Sequence, residues 1–174
     1  AMDEELLEFN RKIKEKLLAE IDEYIERSPG EEDPLRLREF IHSTDHLFSR
    51  VAKGGHITCS AWILDDSRTQ AVLVRHRRLN LWIQPGGHIE PFETPQKGAL
   101  RESSEETNIT DLKLLDPKIF HISIMDFPEG KDGPAHLHYD LRYLIQAPPG
   151  AQLSTADEID GAQWVPMDAL ADHS

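Results

Sequence analysis

The chain predicts an α/β domain, a mixed β-sheet flanked by helices, preceded by an N-terminal helical extension. Three observations carry this reading. The first 43 residues repeat apolar side chains at helical spacing; from Lys53-Gly54-Gly55 onward short runs rich in Ile, Val, Trp and Thr replace them; and one further helix, opened by Thr94-Pro95, interrupts those runs. One hundred and seventy-four residues suffice for one domain with a sizeable core and are few for two. The division is placed at residues 52 and 53, with the helical extension over 1–52 and the sheet domain over 53–174.

Residues 3–27 read as a helix that Asp3 can cap, with Leu6, Phe9, Ile13, Leu17, Ile21 and Tyr24 at three- or four-residue spacing. Ser28-Pro29-Gly30 ends it. A second helix starts at Asp33-Pro34, carries Leu35, Leu37, Phe40 and Ile41, and breaks near Ser43-Thr44-Asp45. Such stripes pack either on the domain or on a second subunit; a substrate lid is the other reading. His56 to Leu64, Gln70 to His76 and Leu81 to Gln84 read as strands, followed by a glycine turn at Gly86-Gly87 and the helix from Pro95 to about Thr107. Further strands follow at Leu112 to Leu115, Ile119 to Met125, Leu137 to Ile145 and Gln163 to Val165. Met167-Asp168-Ala169-Leu170 starts a closing helix, short enough that the N-terminal helices are expected to cover that face of the sheet.

Composition narrows the function. The net charge of −13, from 19 basic and 32 acidic side chains, repels polymeric nucleic acid and disfavours counterion-release binding, while leaving a nucleotide bridged by divalent ions open. No apolar run is long enough to cross a bilayer, and no basic-then-apolar leader is present. Ala1-Met2 is expected to precede the native start. The single cysteine, Cys59, excludes an intramolecular disulfide and fits a reducing compartment, so a cytoplasmic location is expected. Flanked by Thr58 and Ser60 in a strand, Cys59 reads as a buried small side chain rather than a nucleophile.

The helix opened by Thr94 holds the strongest signal. At about 100° per residue, Glu105 lies about −60° and Glu106 about +40° from Glu102, so three carboxylates crowd one face near a helix C-terminus, where the macrodipole also opposes them. Clustered carboxylates suit a hard divalent cation; a solvated acidic face is the plainer reading. Gly98, one turn earlier in the same sector, breaks the helix rule at a cost of about 1 kcal/mol and is expected to clear space for ions or phosphate oxygens. Asn108 follows the last helical residue, where a left-handed cap is expected.

These residues resemble the signature of the Nudix (MutT-like) hydrolases. Gly87, Glu93, Arg101, Glu102, Glu105, Glu106 and Ile109 stand at the signature's spacing, while Ser103 replaces an aliphatic residue and Asn108 the final glycine. Every charged position is kept; Ser103 is expected to cost packing under the helix. Trp82-Ile83-Gln84-Pro85 is similar to the family's strand before the loop, and family-like sequence covers roughly residues 56–170. The resemblance implies an α/β/α sandwich and a pyrophosphohydrolase using Mg²⁺, with Mn²⁺ as a substitute, on a small nucleoside diphosphate linked to another group, either a nucleotide sugar or a nucleoside triphosphate. It implies Glu102, Glu105 and Glu106 as metal ligands with the Gly87 carbonyl as a further one, Glu105 or Glu158 as general base, and Arg101 and Glu93 as orienting partners.

The family's subclass markers lie some fifteen to twenty positions past the signature. Those places hold Ile124 and Met125, and neither marker is present. Substrate contact is assigned to His88, after the glycines, and to His136 and His138, which alternate with Asp140 on one strand face. That alternation also suits a transition-metal site or plain packing. A nucleotide-sensing domain without turnover is the alternative function, and an isomerase acting on a diphosphate lipid a third. Bulk nucleic acid and membrane are not expected partners; a homodimer is.

Overall fold

The computed structural model describes residues 3–50, 52, 54–77, 79–130, 133–154 and 159–172. Helix α1, Glu4–Arg27, begins at Asp3, whose carboxylate accepts from the Leu6 amide at 2.8 Å. Its apolar stripe buries Ile13, Leu17, Ile21 and Tyr24. Helix α2, Asp33–Ser43, buries Pro34, Leu37 and Ile41, and its Phe40 ring stacks on Tyr139 with centroids 4.3 Å apart. Leu35, by contrast, is exposed.

Strands β1 (His56–Leu64), β2 (Gln70–His76) and β3 (Leu81–Ile83) follow the expected runs. Gly86-Gly87, expected as a turn, instead open a short strand, β4 (Gly86–His88), pairing antiparallel with β1 from Thr58 to Ser60. The glycine serves close approach here: a Cβ on Gly86 would stand 2.7 Å from the Ser60 Cβ. Helix α3, Pro95–Thr107, is opened by Thr94, whose hydroxyl accepts from the Lys97 amide at 3.2 Å. It closes on Asn108 at φ 58° and ψ 21°, the left-handed cap. Strands β5 (Lys113–Leu114), β6 (His121–Phe127), β7 (His136–Gln146) and β8 (Ile159–Pro166) complete the sheet, and a 3-10 helix spans Met167–Asp172.

The sheet is mixed. β1 runs parallel to β7 from His56 opposite His138 to Leu64 opposite Gln146, and the remaining pairs are antiparallel. Two rows of side chains follow from that register. Ile57, Cys59, Ala61 and Ile63 of β1 join Tyr139, Leu141, Tyr143 and Ile145 of β7 in one cluster with the buried residues of α1, α2 and α3. The other row turns Trp62, Leu64, Ala71 and Leu73 toward Leu170 of the 3-10 helix. The N-terminal helices therefore share the face of α3, contrary to the expectation that they cover the face under the closing helix. Three bonds tie them there: Arg27 to the Ile119 carbonyl (3.1 Å), the Ile124 amide to Asp33 (3.1 Å), and Gln96 to Glu20 (3.3 Å). No described helix is long and apolar enough to cross a membrane.

Asn108 also donates its amide to the Ser154 hydroxyl at 2.8 Å. Replacement by glycine removes that bond but relieves the backbone, whereas valine removes the bond and keeps a β-branched residue at positive φ, a cost of about 1–2 kcal/mol. Urea unfolding is expected to rank Asn108→Val below Asn108→Gly by about that amount.

Candidate active site

Arg101 organises the carboxylates of α3. Its guanidinium donates through Nε to Glu93 Oε2 (2.8 Å) and through the two terminal nitrogens to Glu93 Oε1 (3.0 Å), Glu102 Oε1 (2.8 Å), Glu105 Oε2 (3.3 Å) and the His88 carbonyl (2.8 Å). One planar fork thus holds the helix, the loop before it and the end of β4 in a fixed relation. Hydrogen bonds with Glu93 raise the guanidinium's pKa despite desolvation, so it stays charged. Glu106 turns the other way and accepts from the Gly86 amide at 2.8 Å.

The positions brought together are therefore Gly87, Glu93, Arg101, Glu102, Glu105 and Glu106. A Cβ on Gly87 would fall on the Glu102 carboxylate, so glycine there lets the acid lie directly against the strand. The Gly87 carbonyl receives a long bond from the Cys59 thiol, 3.6 Å from Sγ. Glu105 is the exposed member, with 59% of its side chain open, while Glu102 shows 18%. Glu158, the other candidate base, lies outside the described residues. Gly98 does not clear space for ions: it is buried, and a Cβ would stand 2.9 Å from Cys59 Sγ and 3.1 Å from Glu93 Oε1. Its absence of a side chain lets α3 settle on β1. Ser103, in the signature's aliphatic place, is fully buried with its hydroxyl unpaired among the described residues. Cys59 is buried and its thiol pKa is raised by desolvation, with Asp140 and Glu102 adding to it, which removes nucleophilic character.

The loop before α3 carries a feature that composition did not signal. Phe92 adopts φ 63°, an uncommon conformation for a bulky residue, and packs against Phe9 of α1 with ring centroids 5.5 Å apart. The Glu90 amide donates to Glu93 Oε1 at 2.9 Å, closing the loop below it.

The histidines assigned to substrate gather on the row opposite α3, at the start of β1 and β7. His56 joins them, a residue read beforehand only as the opening of a strand; three histidines falling at strand ends was the signal available. His56 lies between His88 (ring centroids 5.0 Å), His136 (5.3 Å) and His138 (4.7 Å). Burial, with the neighbouring His88, His136 and Arg50 charges, lowers its pKa to about 4, so the ring is neutral near pH 7. Asp140 does not join them. It is buried deeper on the same row, where Thr58 Oγ1 (2.9 Å) and the Ser60 hydroxyl donate to it, and burial pushes its carboxyl up against those bonds and the Arg142 charge.

A family model described as NUDIX domain matches residues 55–174. A probable DHNTP pyrophosphohydrolase of Lactococcus lactis subsp. cremoris is 25% identical over 137 residues, 77% of this chain and 80% of that protein. A bis(5'-nucleosyl)-tetraphosphatase (asymmetrical) of Caenorhabditis elegans is 37% identical over 73 residues, 42% of this chain and 51% of that protein. The crystal structure of a NUDIX-family hydrolase from Clostridium perfringens superposes with a TM-score of 0.55 at 22% identity, over 68% of this chain and 86% of that one, a likeness of fold.

The two acids that Arg101 holds through its shortest carboxylate contacts titrate oppositely. Burial pushes Glu93 up, but the Arg101 bonds, the Glu90 contact and the Arg101 charge outweigh it and hold the carboxyl below 4.5. Burial of Glu102 wins over Arg101 and leaves its carboxyl above 4.5. The ionised Glu93 therefore stabilises the fold above pH 4.5, and that contribution is lost as pH falls through its folded value; the stability linked to protonated Glu102 is present below pH 4.5 and lost as pH rises through its folded value. In buffer free of divalent ions, Glu93→Gln is expected to unfold more easily than the parent at pH 7 and to converge with it in acid. Glu102→Gln is expected to be the more stable variant at pH 7 and to lose that advantage in acid. Denaturant titrations across pH check both.

Proposed function

We propose, on the premise that this chain belongs to the NUDIX family of hydrolases, that it is a Mg²⁺-dependent pyrophosphohydrolase of nucleoside triphosphates or closely related polyphosphate esters. The observation that carries the reading is the Arg101 fork, which holds Glu102 and Glu105 beside Glu106 and the Gly87 notch. Activity on pyrophosphate bonds belongs to the family. The narrower substrate is supported by the two relatives, whose names specify a DHNTP pyrophosphohydrolase and a tetraphosphatase. Nucleotide sugars are the second substrate class for the same site.

The donor set fits the cation. Glu102, Glu105, Glu106 and the Gly87 carbonyl offer oxygen atoms alone, which a hard dication prefers, and a dication would offset the burial that holds the Glu102 carboxyl above its ordinary value against Arg101. Bound there, Mg²⁺ supplies charge neutralisation for the phosphoryl oxygens and lowers the pKa of a coordinated water. The chain's residues do the rest. Arg101 fixes the rotamers of Glu93 and Glu102, so the oxygens are already aimed before substrate arrives. The Gly86 amide does the same for Glu106. Glu105, exposed and held by its longest Arg101 contact at 3.3 Å, can turn to take a proton, and Glu158 is the other candidate for that role. The His88 carbonyl is anchored by Arg101, while its ring lies on the opposite row beside His56 and His138.

The test is phosphate and pyrophosphate release from nucleoside triphosphates, dihydroneopterin triphosphate, dinucleoside polyphosphates and nucleotide sugars, with Mg²⁺, with Mn²⁺ and with chelator. Turnover of the triphosphates is expected with Mg²⁺ and not with chelator, and Glu106→Gln is expected to lower kcat by at least about 100-fold while leaving the melting temperature within a few degrees, since a glutamine oxygen can still accept from Gly86. Turnover unaffected by Glu106→Gln removes the site assignment. A substrate that raises the melting temperature without being cleaved replaces the enzyme by a sensor.

A further inference from the structure

The histidines at the start of β1 and β7 make a second cluster, on the sheet face away from α3. One donor nitrogen from each of His56, His136 and His138 lies within 4.8 Å of the other two, a spacing that could hold a metal ion. We propose that His56, His136 and His138 form a binding site for a transition-metal dication of the Zn²⁺ class, distinct from the carboxylate site on α3.

Four features of the cluster support it. His56 is 1% exposed, yet both of its ring nitrogens lack a hydrogen-bond partner among the described residues. A buried polar ring left unpaired costs free energy that a metal bond would recover. His136 Nδ1 stands 2.9 Å from the Pro134 carbonyl, which can only accept; the Nδ1 proton is therefore placed there, and Nε2 carries a bare lone pair. That outer bond is the usual support of a metal-binding imidazole. His136 Nε2 lies 3.0 Å from His138 Nε2, close to the edge of about 3.3 Å that two nitrogens span on a tetrahedral ion with bonds of about 2.0–2.1 Å. Finally, the site is walled by Phe127, stacked on His138 at 4.5 Å and tilted against His136 at 5.5 Å, which limits how the imidazoles can turn.

Three neutral imidazoles suit Zn²⁺, Co²⁺, Ni²⁺ or Cu²⁺ and not Mg²⁺, which prefers oxygen. The two sites thus select different ions. Without metal, one of the facing Nε2 atoms of His136 and His138 must carry a proton to make their hydrogen bond, and with His136 protonated at Nδ1 that proton is on His138. Metal binding moves it to the other ring nitrogen of His138, so that the ring stays neutral and Nε2 offers its lone pair. Three protein ligands leave a fourth tetrahedral position for a water or an anionic oxygen.

The test is titration of the chelator-treated full chain with Co²⁺, read by the intense visible bands of a tetrahedral Co²⁺ ion, and by Zn²⁺ competition. About one equivalent is expected to develop the bands in the parent and in a Glu102→Gln/Glu106→Gln double variant. His136→Gln, whose ring is partly exposed, is expected to lose them and to weaken Zn²⁺ at least tenfold. Absence of the bands in the parent, their survival in His136→Gln, or their loss in the glutamate variant overturns the proposal. Should His136→Gln fail to fold, nitrogen chemical shifts of the parent's imidazoles decide: Zn²⁺ is expected to shift three of the nine histidines, and shifts in none overturns the site.

Discussion

The Arg101 fork is the interaction on which the arrangement depends. Left alone, Glu102 would be a half-buried carboxylate on a helix face already holding Glu105 and Glu106, and like charge at that spacing destabilises. Arg101 supplies the missing positive charge from within the same helix, then reaches Glu93 in the loop and the carbonyl of His88 on the strand. Strand, loop and helix are thereby locked by one side chain with five donors. The energetic reading differs from that of a surface ion pair, because the partners are partly desolvated and the bonds to Glu93 are bidentate.

The fork sits among three glycines that let neighbouring groups approach the backbone closely. Gly98 lets α3 rest on the Cys59 sulfur, Gly87 lets the Glu102 carboxylate lie over β4, and Gly86 lets β4 pair tightly with β1. Each glycine is used for space rather than for an unusual dihedral. The opposite row is built on different terms. There Asp140 is held by Thr58 and Ser60, and the histidines crowd the end where β1 and β7 begin. The two faces of one sheet thus present oxygen donors on one side and imidazole nitrogens on the other.

Much of this was legible beforehand. The caps at Asp3, Thr94 and Asn108 were readable because a cap depends on a few adjacent residues, and all three stand where expected. The first two strands match their runs because their apolar side chains are contiguous. Gly86-Gly87 reads as a turn in sequence but forms a strand, since glycine signals both a bend and a tight approach, and only the partner strand distinguishes them. The close approach at Gly98 is hidden from the sequence for the same reason: its neighbour Cys59 is 39 positions away. Ser103, expected to cost packing under the helix, is fully buried with its hydroxyl unpaired among the described residues.

By itself the sequence determined the segments, their caps and the spacing that puts Gly87, Glu93, Arg101, Glu102, Glu105 and Glu106 within one strand, loop and helix, because all of that is encoded within about two dozen residues. Tertiary structure decided which row each segment faces. The parallel register of β1 on β7 sets His56 beside His138, and Thr58 beside Asp140, across 82 positions of chain. It also sent the N-terminal helices to the side of α3, through contacts such as Phe40 on Tyr139. A helical or strand period says that a side chain is buried and never against what, since the partner is chosen by the sum of packing over the whole core.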